Sequence, residues 1–221
     1  MMLLDIEGTV GSIRFVHDVL FPIAYQRMES FIKNHRHEIK DIYQSLINEL
    51  QSNKIANPTE DDVILLLRTW IQEDKKETRL KEIQGRIWHH AFSSNQVQSH
   101  LYPDAVSAMK RWKERGKRIS IFSSGSVFAQ KMYFKYTEYG DLSSYIDHYF
   151  DTTTGPKKET ETYLKIASFV NCKPSEITFF SDVFDECFAA EKAGINAIQI
   201  FRDTEITENR FHPIKDFNGI A

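Results

Sequence analysis

MMLLDIEGT, residues 1–9, is the stretch on which the fold turns. Met1 to Leu4 form a short apolar run that stops abruptly in acids, a glycine and a threonine, which reads as a buried strand running straight into a polar loop. Asp5 and Glu7 stand one residue apart just past that strand. Two such carboxylates cost desolvation and repel each other unless a cation is present, so they point to chemistry more than to packing. The start carries no basic leader and no apolar stretch of signal-peptide length, and nowhere does the chain run 18 apolar residues together. A soluble, cytoplasmic protein is expected.

Outward from this strand the pattern turns helical. From about Phe15 to Phe92 apolar residues recur at helical spacing, first Phe15, Val16, Val19, Leu20, Ile23 and Ala24, then Ile39, Ile42, Tyr43, Leu46, Ile47 and Leu50. Thr59 followed by Glu60, Asp61 and Asp62 predicts a capped helix start before Val63, Leu66, Leu67 and Trp70, and a further helix is expected over Thr78 to Phe92. These helices read as an all-α insertion of about four helices. After Tyr102-Pro103-Asp104 short apolar runs alternate with helices, the signature of a doubly wound parallel sheet. The expected strands are Arg118–Phe122, His148–Phe150, Ile177–Phe180 and Ala197–Phe201, joined across the insertion by Met2–Ile6. The expected architecture is therefore a Rossmann-like α/β core of residues 1–12 and 97–221, interrupted by a helical cap of residues 13–96 that closes over the site.

Composition excludes the rival classes. At 221 residues, 41% hydrophobic and 27% charged with 9 Gly and 6 Pro, the chain is neither disordered nor fibrous and buries a sizeable core. A net charge of −3 gives no general footprint for nucleic acid or an anionic membrane, so neither is an expected partner. Cys172 and Cys187, the two cysteines, are too few for a disulfide framework or a four-ligand zinc site, and free thiols are expected.

In an open parallel sheet ligands bind beyond the carboxyl ends of the strands. Four such ends carry polar residues: Asp5-Ile6-Glu7-Gly8-Thr9, then Ser123-Ser124-Gly125-Ser126, then Asp151 to Lys158 with its two lysines, and finally Ser181-Asp182-Val183-Phe184-Asp185-Glu186. Each has a plain reading: a capped loop at Ser124, solvated charges at Lys157 and Lys158, a helix cap at Asp182. Taken together, carboxylates, a hydroxyl loop and a lysine make an oxygen-lined Mg²⁺ site beside a phosphate pocket. A carboxylate with a reference pKa near ~4 is ionised at neutral pH and attacks phosphorus without a separate base, giving an aspartyl-phosphate intermediate.

These residues resemble the haloacid dehalogenase superfamily, whose first motif sets an aspartate nucleophile two positions before a second acid. Within it, the form DIEGT resembles the acireductone synthases, the enolase-phosphatase family of methionine salvage. LLDIEGTVGSIRFVHDVLFP, LKEIQGRIWHHAF, IFSSGSVFAQK, YFDTTTGPKKETETY and FFSDVFDECFAAEKAGI follow in order and span nearly the whole chain. The resemblance implies Mg²⁺ held by Asp5, Glu7 and Asp182, Asp5 as nucleophile, Glu7 as general acid/base, and substrate contacts from Ser123, Ser124 and Lys157 but not Lys158. Glu186, one turn after Asp182, would orient the metal shell. It also implies a monomer that enolises and then dephosphorylates the small phosphate ester 2,3-diketo-5-methylthiopentyl-1-phosphate, yielding 1,2-dihydroxy-3-keto-5-methylthiopentene. Glu7, a hydroxyl-bound water and His17 are the candidates for the enolising base. After the last strand the family pattern is Arg-Pro-Gly-Asn, where this chain has Phe201-Arg202-Asp203-Thr204 and keeps only the arginine.

Phe15, Phe21 and Trp88 are read either as packing residues or as contacts to the methylthio tail. His89 and His90 show no metal-ligand spacing and read as structural. Three rival functions remain: a phosphatase of the same fold acting on another small ester, a true dehalogenase, and an inactive module that binds through its helical cap. The carboxylate cluster argues against the second, and Asp5, Lys157 and Asp182 together argue against the third.

Overall fold

The computed structural model describes every residue except 76, 203, 204, 208, 209 and 221. Five strands, β1 (Met2–Leu4), β2 (Ile119–Phe122), β3 (His148–Phe150), β4 (Thr178–Ser181) and β5 (Asn196–Gln199), form among the described residues one parallel sheet in the order β3-β2-β1-β4-β5. β1 is central and its three residues are buried, as a strand covered on both faces requires. Leu4 lies opposite Ile121 on one side and Phe180 on the other. That register brings the residues following β1, β2 and β4 out at one edge, where the strand order reverses.

Around the chain the helices are α1 (Ile13–Phe15), continued by a π-helical turn over Val16–Leu20, α2 (Phe21–His35), α3 (Lys40–Ser52), α4 (Glu60–Gln72), α5 (Thr78–Ser93), α6 (Pro103–Glu114), α7 (Val127–Lys135), α8 (Thr160–Phe169) and α9 (Phe184–Lys192). Two compact units result, Met1–Phe15 with Val97–Ala221, and Val16–Gln96. Each has its own apolar core. In the sheet unit Leu3, Phe122, Phe150, Tyr163, Ile166 and Phe179 pack together, with a second aromatic group of Trp112, Phe180 and Phe217. In the helical unit Met28, Phe31, Leu46, Leu67, Trp70 and Ile83 do so. The Thr59 cap forms as its sequence predicts, with Asp62 N–H donating to Thr59 Oγ1 at 3.3 Å and Thr59 N–H to Asp62 Oδ2 at 2.8 Å.

Three expectations shift. The first strand ends at Leu4 and not Ile6, because the Ile6 carbonyl accepts from the N–H groups of Thr9, Val10 and Gly11 and so turns the chain. The last strand ends at Gln199, and Ile200 pairs instead with Ile214. The helical unit starts at Val16 where residue 13 was expected, since Phe15 sets its ring edge-on against Tyr133 of the sheet unit at 5.8 Å. Phe21 stacks on Trp88 at 6.5 Å, and the Trp88 indole N–H donates to the Leu20 carbonyl at 2.8 Å, so both rings are packing residues of the helical unit. His17 is exposed there, edge-on to Phe21. Cys172 and Cys187 are free thiols, and burial pushes the Cys187 thiol up to about 12. Among the described residues no helix is long and apolar enough to cross a membrane.

Asp147, just before β3, fixes the entry to two strands. Its Oδ2 accepts from Ile119 N–H at 2.7 Å and from Lys113 Nζ at 2.9 Å. Burial works against its charge, but these donors outweigh it and hold the carboxyl below the usual carboxylate range. A depressed folded pKa means that this stabilisation is complete above the unfolded pKa and is lost as pH falls through the folded one. Asp147→Ala is expected to cost about 1–3 kcal/mol in urea titrations at neutral pH, with a smaller difference from wild type in acid.

Candidate active site

At the carboxyl edge of the sheet the charges are assembled around one lysine. Asp5 follows β1 and is buried, its Oδ1 accepting from Ile6 N–H at 2.8 Å. Its Oδ2 meets Lys157 Nζ at 2.7 Å, and the same ammonium meets Glu186 Oε2 at 2.7 Å. Ser181, the last residue of β4, donates from Oγ to Glu186 Oε2 at 2.9 Å, with Asp5 Oδ2 at 3.3 Å, and accepts from Val183 N–H. Burial alone pulls the Lys157 ammonium toward neutrality, but Asp5 and Glu186 more than offset it and leave the pKa above the ordinary lysine value. Burial and then the charge of Asp5 push Glu186 upward, while Lys157 opposes them.

The backbone holds this lysine in place from both sides. Tyr163, inside the sheet core, donates its hydroxyl to the Lys157 carbonyl at 2.7 Å, and the Phe122 ring lies 5.7 Å from the ammonium. Lys158, next in sequence, points away: its side chain is 63% exposed and pairs with Asp185 at 2.8 Å.

Asp182 sits at the exposed rim after β4, anchored through its carbonyl, which accepts from Gln199 Nε2 at 3.0 Å. The surrounding protein and then Asp5 push its carboxyl up to about 7. Its carboxylate lies against Gly8, whose φ is +68°, so that a Cβ on Gly8 would collide with it. The loop after β1 and the end of β4 therefore close on each other only because residue 8 lacks a side chain. Hard carboxylate oxygens from adjacent strand ends, one of them with raised proton affinity, fit a hard divalent cation. They are not collapsed into a cage: among the described residues the trio whose ligand atoms all lie within 4.8 Å is not Asp5, Glu7 and Asp182 but a group in the helical unit. Glu7 pairs through its backbone with Gly11, and its charge, after burial, helps to raise the Tyr133 phenol.

Ser123 ends up buried beside this edge, with Oγ accepting from Gly125 N–H at 3.3 Å, while Ser124 is exposed. Ser126 caps α7 through Ala129 N–H. Gln130 Nε2 donates to the carbonyls of Gly125 at 2.7 Å and Phe150 at 2.8 Å, tying the serine loop to β3. Asp151, also buried, accepts from Val127 N–H at 3.1 Å and from Thr153 N–H at 2.9 Å, so it joins the start of α7 to the loop that delivers Lys157.

The structure thus gathers Asp5, Lys157 and Asp182 with Glu186, whose partners are Lys157 and Ser181. Ser181, Gln130 and Asp151 are additions that the sequence signalled only by lying at strand ends or on the next helix. Arg202 gains a definite place: Nε and Nη2 donate to the Thr9 carbonyl at 2.8 and 2.7 Å, and Nη1 meets Asp104 at 2.8 Å. It clamps the far end of the loop after β1. Asp203 and Thr204, where the chain departs from Arg-Pro-Gly-Asn, lie outside the described residues.

The family model for haloacid dehalogenase-like hydrolases matches residues 2–194. Proteins named enolase-phosphatase E1 are similar over most of their length: that of Citrobacter koseri is 41% identical over 98% of this chain and 94% of its own. That of Persephonella marina is 46% identical over 91% of this chain and 88% of its own. Among solved structures, the UTR4 protein of Saccharomyces cerevisiae has a TM-score of 0.83 and 31% identity, covering 100% of this chain and 99% of that one. CbbY from Rhodobacter sphaeroides, at 13% identity and a TM-score of 0.61, over 100% of this chain and 95% of that one, shares the fold.

Gly8 and Gly116 separate two causes, because both have positive φ but an added Cβ at Gly116 meets nothing within 4 Å. Gly116→Ala is expected to lose only the backbone term, about 1 kcal/mol, and Gly8→Ala about 1–3 kcal/mol more from displacing Asp182. Equilibrium urea unfolding of the two variants measures the difference.

Proposed function

The chain belongs to the enolase-phosphatase E1 family of haloacid dehalogenase-like hydrolases, and on that footing we propose how it turns over a small phosphate ester. The substrate is 2,3-diketo-5-methylthiopentyl-1-phosphate, which is enolised and then dephosphorylated to 1,2-dihydroxy-3-keto-5-methylthiopentene and phosphate in methionine salvage. The observation that carries the phosphatase chemistry is a buried carboxylate, Asp5, held by a buried ammonium at the reversal point of a parallel sheet.

In this reading a carboxylate oxygen of Asp5 attacks phosphorus, the bond to the leaving oxygen breaks, and Glu7 gives that oxygen its proton. Water then adds to the aspartyl phosphate, Glu7 takes its proton, and the bond between phosphorus and the Asp5 oxygen breaks to release phosphate. Lys157, charged throughout, balances the phosphoryl oxygens, and the Ser123 and Ser124 loop supplies donors. Asp5, Glu7 and Asp182 are the residues that would hold Mg²⁺, which when bound supplies Lewis-acid neutralisation of phosphoryl oxygens. Cys172 and Cys187, both unpaired, suit the cytoplasm, where we place the protein as a monomer.

Purified protein given this substrate is expected to release phosphate and develop enediol absorbance together, both requiring Mg²⁺. Asp5→Asn should lower phosphate release on the order of 10³-fold or more. Lys157→Met should lower it about 10²-fold or more, while Lys158→Met stays within about twofold of wild type. Release of phosphate from unrelated esters alone would refute the substrate assignment and leave the site intact.

A further inference from the structure

The helical unit gathers three ligand-type side chains that the phosphatase chemistry does not use. His35 ends α2, Glu38 lies on the single helical turn Arg36–Ile39, and His90 is in the last turns of α5. His35 Nδ1 is 3.1 Å and His90 Nε2 is 3.3 Å from the same oxygen, Glu38 Oε1, and all three ligand atoms lie within 4.8 Å of one another. Two donors satisfying a carboxylate by hydrogen bonding alone have two oxygens to share between them. Here both rings converge on one, while Oε2 is turned toward Arg86 Nη1, 3.9 Å away.

Zinc bonds of about 2.0–2.1 Å to nitrogen and oxygen put the ligands of a tetrahedron about 3.3 Å apart. The two edges that meet at Glu38 Oε1, 3.1 and 3.3 Å, already have about that length. The third closes by a small swing of the imidazoles, whose side chains are 39% and 38% exposed. We propose that His35, Glu38 and His90 form a second, transition-metal site that binds one ion of the zinc class through two imidazoles and a carboxylate, with water in the fourth position.

The surroundings suit this assignment. Phe31 stacks on His35 at 5.6 Å and meets His90 edge-on at 5.8 Å, fixing both ring planes from the core side. Burial works against the charge of Glu38, yet the two histidines outweigh it and hold the carboxyl below its usual range, so it is an anionic ligand. Imidazole donors select zinc, cobalt or nickel over magnesium, so this site does not compete for the ion that the strand-end carboxylates take. Binding exchanges no electrons: each ring nitrogen that faces the carboxylate gives up its proton, to the ring's other nitrogen by tautomer exchange or to solvent, and presents a lone pair to the ion. Arg36 pairs with Glu60, and Arg86 is nearer to Glu82, at 3.1 Å, than to Glu38, at 3.9 Å. His37 and His89 stand beside the site, with ring centroids 6.2 Å from His35 and 6.0 Å from His90. By joining three segments of one unit, the ion adds binding free energy to that unit's stability.

The test uses the full chain, tag removed and stripped with a chelator, titrated with Zn²⁺ against a chromophoric chelator and with Co²⁺ by visible absorption. One ion per chain is expected, with a tetrahedral Co²⁺ spectrum and a melting temperature raised by Zn²⁺. His35→Ala, His90→Ala and the isosteric Glu38→Gln should each weaken binding by about tenfold or more and abolish the thermal shift. Asp5→Asn and His89→Ala should bind as wild type does. Absence of saturable binding, indifference to the His35, Glu38 and His90 changes, or loss of binding in Asp5→Asn or His89→Ala would overturn the proposal.

Discussion

A single ammonium organises the catalytic edge of this protein. Lys157, with 9% of its side chain exposed, meets Asp5 and Glu186 at 2.7 Å each. A buried carboxylate at the end of β1 without a counter-charge would carry a desolvation cost of several kcal/mol. With Lys157 present the cost is offset within the protein. Much of the local architecture serves that contact: Tyr163 holds the lysine backbone, Asp151 and Gln130 tie its loop to the serine loop, and Ser181 spans Asp5 and Glu186. Two carboxylates share that one ammonium, and Asp182 beside them is raised to about 7.

The fold was legible because its decisive signals are local. An apolar run that ends in Asp5-Ile6-Glu7-Gly8 marks a strand and its loop, and the change from helical spacing to alternating strands and helices after Pro103 marks the two units. Strand ends were less legible, since the turn around the Ile6 carbonyl depends on three backbone donors from residues 9–11 and on no side-chain pattern. In the site, Asp5 and Asp182 stand out because each follows an apolar run, whereas only the family resemblance separates Lys157 from Lys158. Helical spacing relates Glu186 to Asp182, and the fold also brings its carboxylate to Lys157, 29 positions earlier in the chain, a contact that no local pattern announces. Gln130 carries no signal of its own and Asp151 only its place after a strand, because their bonds go to backbone carbonyls and N–H groups whose positions only the tertiary structure sets.

The histidines show the same limit more sharply. His89-His90 has no ligand spacing within its own helix, and the sequence therefore assigns it to structure. What makes His90 a ligand is the packing of α2 against α5 in the helical core, which lays His35 and Glu38 opposite it. The i, i+3 pair His35 and Glu38 is an ordinary helix-surface contact when read alone, and becomes two vertices of a polyhedron only when a third arrives from another helix.

The two clusters also differ in how they handle burial, and the difference follows from their tasks. Around Asp5 the side chains are nearly dry, so every charge is strong and has to be balanced within the protein, which Lys157 does. Around Glu38 the rings are over a third exposed, so water screens the charges and the protein leaves the arrangement short of a full counter-ion, with Arg86 at 3.9 Å. Under the proposed chemistry, the group that attacks the substrate is held by a fixed cation, away from solvent. A group that collects an ion from solution has to remain accessible, with its ligands adjustable by a few tenths of an ångström. Asp5 and Glu38 are both carboxyl side chains in partner-rich settings, and what differs is the partner, a nearly buried lysine in one case and two partly exposed imidazole rings in the other.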